Sequence, residues 1–224
     1  IALSEFQRER FVDAGLPAER MHVKPNFYPG NPATVPWSER ADRVVFVGRL
    51  SAEKGVRTLL SAWVMWGDSA PPLRIVGDGE LRGELEELAQ DLPVEFVGQV
   101  SLEDARAEIG RARLLVLPSE WFETFGLVAI EGFAMGTPAV VSNIGPLPDL
   151  VREPASGCVF EPGDAESLLH TVRSAWGNPA LLERWGRGAR AAFKAKYTED
   201  ANHTMLMEIY EQAIERGGRA RHGW

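Results

Sequence analysis

Two carboxylates, Glu123 and Glu131, stand inside EWFETFGLVAIEGFAMGTP (residues 120–138), a stretch made largely of Phe, Leu, Val, Ile, Ala and Gly. A carboxylate enters such a setting only with a partner, because stripping water from an unpaired charge is prohibitive. Two kinds of partner are open. Within the protein, Glu131 can meet an Arg on a neighbouring helix, and Glu123 can cap the helix start that follows it. From outside, either carboxylate can accept both hydroxyls of a vicinal diol, as on a ribose or a hexose. With one glutamate in a loop and the other two turns into a helix, they cannot form one compact pair. They would address different parts of an extended ligand.

The same stretch offers anion chemistry. The apolar run RLLVLP ends at Pro118, and Thr124 is the expected N-cap of the next helix. The free N–H groups of the first turn then fall around Phe125, Gly126, Leu127 and Val128, at the positive end of the helix dipole. Gly126 has no side chain to obstruct a phosphate there. A second loop, VFVGRLSAEKG, sets Arg49 directly after Gly48 at a strand end and Lys54 just before a helix. These cations can form a surface ion pair with Glu53, or they can face the helix start. In the second case a diphosphate is neutralised from both sides, with no metal required.

The elements that must position these groups follow a clear alternation. Short β-branched runs, RVVFVG (43–48), LRIVG (73–77), VEFVG (94–98), RLLVLP (113–118) and PAVVS (138–142), are each closed by Gly, Pro or Ser. Between them lie GVRTLLSAWVMW, GELRGELEELAQ, SLEDARAEIG and TFGLVAIEGFAM, with apolar residues at helical spacing. This pattern predicts an α/β domain with a doubly wound parallel sheet, covered on both faces and carrying ligand chemistry at the carboxyl ends of its strands. Ahead of it, residues 1–40 hold a helix (SEFQRERFVDAG), a short strand (MHVKP) and a Pro/Asn-rich linker. Behind it, DAESLLHTVRSAW, NPALLERWGRGARAAFKAKY and TEDANHTMLMEIYEQAIER read as helices and GGRARHGW as a frayed basic tail. The expected division is 1–40, a 41–195 core domain, and a 196–224 helix and tail. The chain starts at Ile1 rather than Met, so a fragment is expected.

Composition and motifs remove several classes. A net charge of −8 and a pI near 5.1 give no general attraction to nucleic acid or an anionic membrane. The single cysteine, Cys158, reads as a small core residue; it excludes an internal disulfide and a cysteine-built zinc site, and fits a reducing cytoplasm. No stretch approaches the ~20 apolar residues of a membrane span. There is no GxxxxGK[ST] and no GxSxG, and the four histidines lack metal-ligand spacing. GDGELRG has glycines at 77, 79 and 83, one residue out of step with GxGxxG. It reads as a tight turn whose glycines also permit close approach of a ligand.

Together, ALSEFQRERFVDAGLPAERMHVKPN, FVGRLSAEKGV, LRIVGDGELR, VEFVGQVS, ETFGLVAIE, GTPAVVSNIG and SGCVFEPGDAESL, in that order, resemble the carboxyl-terminal domain of retaining GT-B glycosyltransferases of family 4. The resemblance implies a Rossmann-like half that binds a UDP- or GDP-sugar donor for transfer to an unspecified acceptor. Arg49 and Lys54, after Gly48, match cations that hold the distal phosphate and stabilise the leaving diphosphate. Leu127 and Val128 match backbone donors to the phosphates, and Phe125 and Gly126 match backbone contacts to the sugar. Glu123 matches the carboxylate that orients the sugar hydroxyls, Glu131 the one on the ribose, and Val100 the backbone at the base edge. Glu123, Arg49 and Lys54 are thereby the catalytic candidates, with no metal or other cofactor. Asp149 stands where the family often has a glutamate. Most of the amino-terminal acceptor domain is missing, which implies that the fragment binds donor without efficient transfer, in the cytoplasm or, as a full-length protein, at a membrane surface. A nucleotide-sugar epimerase or hydrolase of the same fold, or a non-catalytic nucleotide-sugar module, are the alternatives.

Overall fold

The computed structural model describes residues 1–152 and 155–221. Six parallel strands, β1 (Ala41–Val47), β2 (Leu73–Val76), β3 (Val94–Gly98), β4 (Ala112–Leu117), β5 (Ala139–Ser142) and β6 (Gly157–Phe160), form one sheet in the order β3-β2-β1-β4-β5-β6. The crossovers run through α2 (Val56–Trp66), α3 (Arg82–Leu88), α4 (Leu102–Arg111), α5 (Leu127–Ala134) and α6 (Leu147–Arg152), after an initial α1 (Glu5–Asp13). Three helices close the chain, α7 (Ala165–Trp176), α8 (Pro179–Lys196) and α9 (Glu199–Arg221).

The near-continuous apolar character of the strands has a direct cause. Val44 and Phe46 of β1, Leu73 and Ile75 of β2, and Leu114 and Val116 of β4 pack with α2 and α7 on one face. The alternate residues Val45, Val76, Leu115 and Leu117 pack with α5 and α8 on the other. With both faces dry, no strand position in the middle of the sheet can be polar without a partner. β1 and β4 are neighbours, yet the chain leaves β1 toward β2 and leaves β4 toward β5. Their carboxyl ends therefore diverge, and a crevice opens where the strand order reverses. Gly48–Arg49 and Ser119–Glu123 emerge there.

The structure differs from the sequence reading at several places. A sixth strand forms from GCVF; its four residues pair with β5 from Ala139↔Gly157 to Ser142↔Phe160. Helix α6 is a short turn set by the buried Leu147, Leu150 and Val151, too brief to show a helical period. MHVKP is no strand: it contributes one bridge, Ala2↔Val23. The expected basic tail is helical as far as Arg221, and residues 222–224 lie outside the described ones. Cys158, in β6, does pack against the core, and burial pushes its thiol up to about 12. Among the described residues no helix is long and apolar enough to cross a membrane.

Candidate nucleotide-sugar site

The loop after β1 is held by backbone bonds to the loop after β2: Gly48 N–H to Val76 O (3.0 Å), Leu50 N–H to Asp78 O (3.0 Å) and Leu81 N–H to Leu50 O (3.1 Å). A Cβ on Gly77 would sit 1.9 Å from Gly48 O, and one on Gly79 would sit 2.4 Å from Leu50 O. The GDG glycines thus admit a neighbouring backbone, which is the tight-turn role expected from their spacing. Arg49, between the anchored residues, is exposed and stands at the rim.

Beyond Arg49 the chain makes a tight turn over Ala52–Lys54 and enters α2 through Gly55, whose left-handed backbone (φ 66°) has Pro118 O 1.8 Å from where a Cβ would be. This contact lays the β1 loop directly on the β4 loop. Glu120 ties it further: its N–H donates to Glu53 O (2.9 Å), and its carboxylate accepts from Thr58 Oγ1 (2.6 Å). Glu53 itself turns to the Ser51 hydroxyl at 2.6 Å, which, with Arg49 and Lys54 nearby, holds its carboxyl below the ordinary range. Lys54 is therefore left to reach across the crevice. Its Nζ lies 2.6 Å from Glu123 Oε1, and Ser119 Oγ donates to the same oxygen at 2.7 Å.

Lys54, Ser119 and Glu123 line one small pocket together with Gly48, Gly126, Leu127 and Val128. Helix α5 begins later than Thr124: Gly126 is the N-cap, with φ 88° and no side-chain capping bond. Its left-handed backbone cannot lie inside a helix, so Thr124 stays outside it, exposed. Ala129 N–H bonds Gly126 O at 3.0 Å. The amides of Leu127 and Val128 come first in the helix, lack intrahelical acceptors and carry the positive end of the dipole to the pocket. The Phe125 side chain is buried, edge-on to Tyr197 with ring centres 6.2 Å apart, and pegs this loop to the core.

Glu131 faces elsewhere. Its Oε1 accepts from Arg106 Nε of α4 at 3.1 Å, and the guanidinium carbon of Arg106 lies 4.5 Å from the centre of the Tyr28 ring. The salt bridge with an Arg of a neighbouring helix is thus realised, while Oε2 accepts no side-chain hydrogen bond among the described residues. Val100 follows β3 and packs with Ala105 and Val128 against the α5 side of the core. Lys54, Glu123, Gly48 and the α5 start at Gly126, Leu127 and Val128 converge on that pocket; Arg49, Val100, Phe125 and Glu131 do not line it. Ser119 and Arg106 escaped the sequence reading. Ser119 directly follows the strand-ending Pro118, a position that could have drawn notice, but Arg106 lies among the other charges of α4 and gives no local signal.

Glu131→Ala is expected to cost about 1–3 kcal/mol of stability in urea unfolding, below the usual ~3–5 kcal/mol for a broken buried pair because Arg106 retains some solvent and the Tyr28 ring. A double-mutant cycle with Arg106→Ala should show strong coupling.

A doubly wound parallel sheet with a lysine, a helix start and a carboxylate gathered at its switch point has the architecture of one half of a GT-B glycosyltransferase. The chain matches solved structures of that class: HepE of Anabaena in complex with UDP (TM-score 0.79, 21% identity, 96% of this chain and 63% of that one) and sucrose-phosphate synthase of Thermosynechococcus elongatus (TM-score 0.76, 27% identity, 96% and 58%). Residues 31–192 match the family of glycosyl transferases group 1, and the chain belongs to it. A glycogen synthase of Mycobacterium tuberculosis is 35% identical over 182 residues, covering 79% of this chain and 44% of its own length. An uncharacterized glycosyltransferase of Methanocaldococcus jannaschii is 32% identical over 188 residues, covering 79% and 46%. The chain spans about half the length of these relatives.

Proposed function

We propose that residues 41–195 form the donor-binding half of a retaining, family 4 glycosyltransferase that uses a UDP- or GDP-hexose, and that residues 1–40 belong with its acceptor half. One observation carries this reading: Lys54 Nζ, 2.6 Å from Glu123, shares a pocket with the first amides of α5. An ammonium has three donors. Glu123 takes one, so Lys54 can hold a distal phosphate oxygen while keeping its carboxylate, and the Leu127 and Val128 amides meet the diphosphate from the opposite side.

As the glycosidic bond to the diphosphate breaks, negative charge grows on the leaving oxygen. Lys54, the α5 amides and Arg49 from the rim stabilise that charge in a site where they need not reorganise. Glu123, fixed by Ser119 and Lys54, orients the sugar hydroxyls through its free oxygen. Glu131 offers Oε2 to the ribose, and the backbone at Val100 meets the base. No metal has a role in this scheme. A GDP-mannose-dependent mannosyltransferase among the relatives and the UDP bound by HepE support the two donor classes.

Calorimetry of this chain with UDP, GDP and ADP tests the reading. Saturable binding of UDP or GDP is expected, weakened several-fold by Arg49→Ala; absence of binding by all three nucleotides at millimolar concentration would overturn it.

A further inference from the structure

At the opposite, amino-terminal edge of the sheet, two arginines are held without counter-ions. Arg40, just before β1, is only 5% exposed. Its Nε donates to Val35 O (3.3 Å), Nη1 to Ala112 O (3.0 Å) and Thr137 Oγ1 (2.8 Å), and Nη2 to Met135 O (2.6 Å). Every acceptor is neutral, and burial alone lowers its pKa to about 10, so it stays charged at neutral pH. Arg190 of α8 donates to Ala134 O from Nη1, and from Nη2 to Asn31 Oδ1 (2.6 Å) and Pro32 O (2.9 Å), again all neutral.

Among the described residues, no carboxylate lies within 4.0 Å of either guanidinium. Carbonyls and hydroxyls satisfy hydrogen bonds but do not cancel charge, and a buried cation without an anion is costly. The Trp37 ring, 5.5 Å from the Arg40 guanidinium carbon, supplies a π face and no charge.

Both arginines line a pocket of about 220 Å³ with Thr34, Trp37, Glu183 and Arg187. Its one carboxylate, Glu183, is bonded to Arg187 at 2.8 Å, so three cations against one anion leave the pocket at +2. A guanidinium has five N–H donors. Arg40 commits four and Arg190 three, leaving one and two for a ligand. The volume is several times the ~30 Å³ of a water.

We propose that this pocket is a second anion site, remote from the donor crevice, which takes a phosphate-type oxyanion on Arg40, Arg190 and Arg187. A bound oxyanion would tie residues 31–37 to α8 and to the turn before β5, and would thereby stabilise the entry into β1.

The test is thermal unfolding and calorimetry with inorganic phosphate and, separately, with a hexose 6-phosphate, against chloride at matched ionic strength. A Lys54→Ala background is used so that the donor pocket does not report. A saturable rise in melting temperature, with affinity reduced about tenfold or more by Arg190→Gln, is expected; the tighter of the two probes identifies whether the free ion or a phosphomonoester is the ligand. Arg187→Gln, at an exposed position, gives the same reading with a smaller loss if Arg190→Gln fails to fold. No saturable effect beyond chloride, or one indifferent to the arginine variant that folds, would overturn the proposal.

Discussion

If residues 41–195 hold a nucleotide-sugar donor as proposed, Lys54→Ala is expected to weaken UDP or GDP binding by about 10- to 150-fold while leaving the melting temperature nearly unchanged. The affinity loss follows from removing one charge-assisted bond to phosphate, worth about 1.5–3 kcal/mol, at 1.4 kcal/mol per tenfold. The small effect on stability follows from exposure. The Lys54 and Glu123 side chains keep 31% and 23% of their surface, so water and Ser119 can satisfy Glu123 once the ammonium is gone; such pairs contribute about 0–1 kcal/mol. Calorimetry beside thermal unfolding separates the two quantities. An affinity within twofold of the parent would remove Lys54 from the diphosphate site. Lys54→Arg should recover only part of the binding, because a planar fork replaces a compact charge in a small pocket.

Gly55→Ala is expected to cost a large part of the molecule's stability. A left-handed backbone costs a residue with a Cβ about 1–2 kcal/mol, and forcing an atom into a filled space adds about 1–3 kcal/mol. At φ 66° the new methyl would lie 1.8 Å from Pro118 O, a backbone atom that can retreat only by parting the two loops. The expected loss is about 2–5 kcal/mol in urea unfolding, with nucleotide affinity falling too, since Lys54 is the preceding residue. Gly30→Ala provides the comparison: it shares a positive φ of 78° but meets nothing within 4 Å, so only the backbone cost of about 1–2 kcal/mol applies. Equal losses in the two variants would show that the loop contact does not hold the site together.

These expectations show how far local information reaches. The run RVVFVG announces a strand in six residues; Gly48, Arg49 and Lys54 could be marked by their place between that strand and the next helix, and Glu123 and Glu131 by their charge within an otherwise apolar stretch. The alternation of strand and helix was enough to place them at the carboxyl ends of a doubly wound sheet. The start of α5 was misplaced because Thr124 has good capping chemistry, whereas the left-handed turn at Gly126 is imposed by the packing around it. A Cβ at Gly126 would stand 2.7 Å from Leu147 and 3.0 Å from Leu150, contacts made across the fold.

The sequence by itself therefore determined the elements and the residues with unusual chemistry, because periodicity and turn signals lie within a few neighbouring positions. Only the tertiary structure decided the partners. Lys54 and Glu123 are 69 residues apart, and Arg106 and Glu131 are 25 apart on different helices. Which of them meet depends on β1 lying beside β4, a choice made by the burial of both sheet faces at once and visible in no single segment.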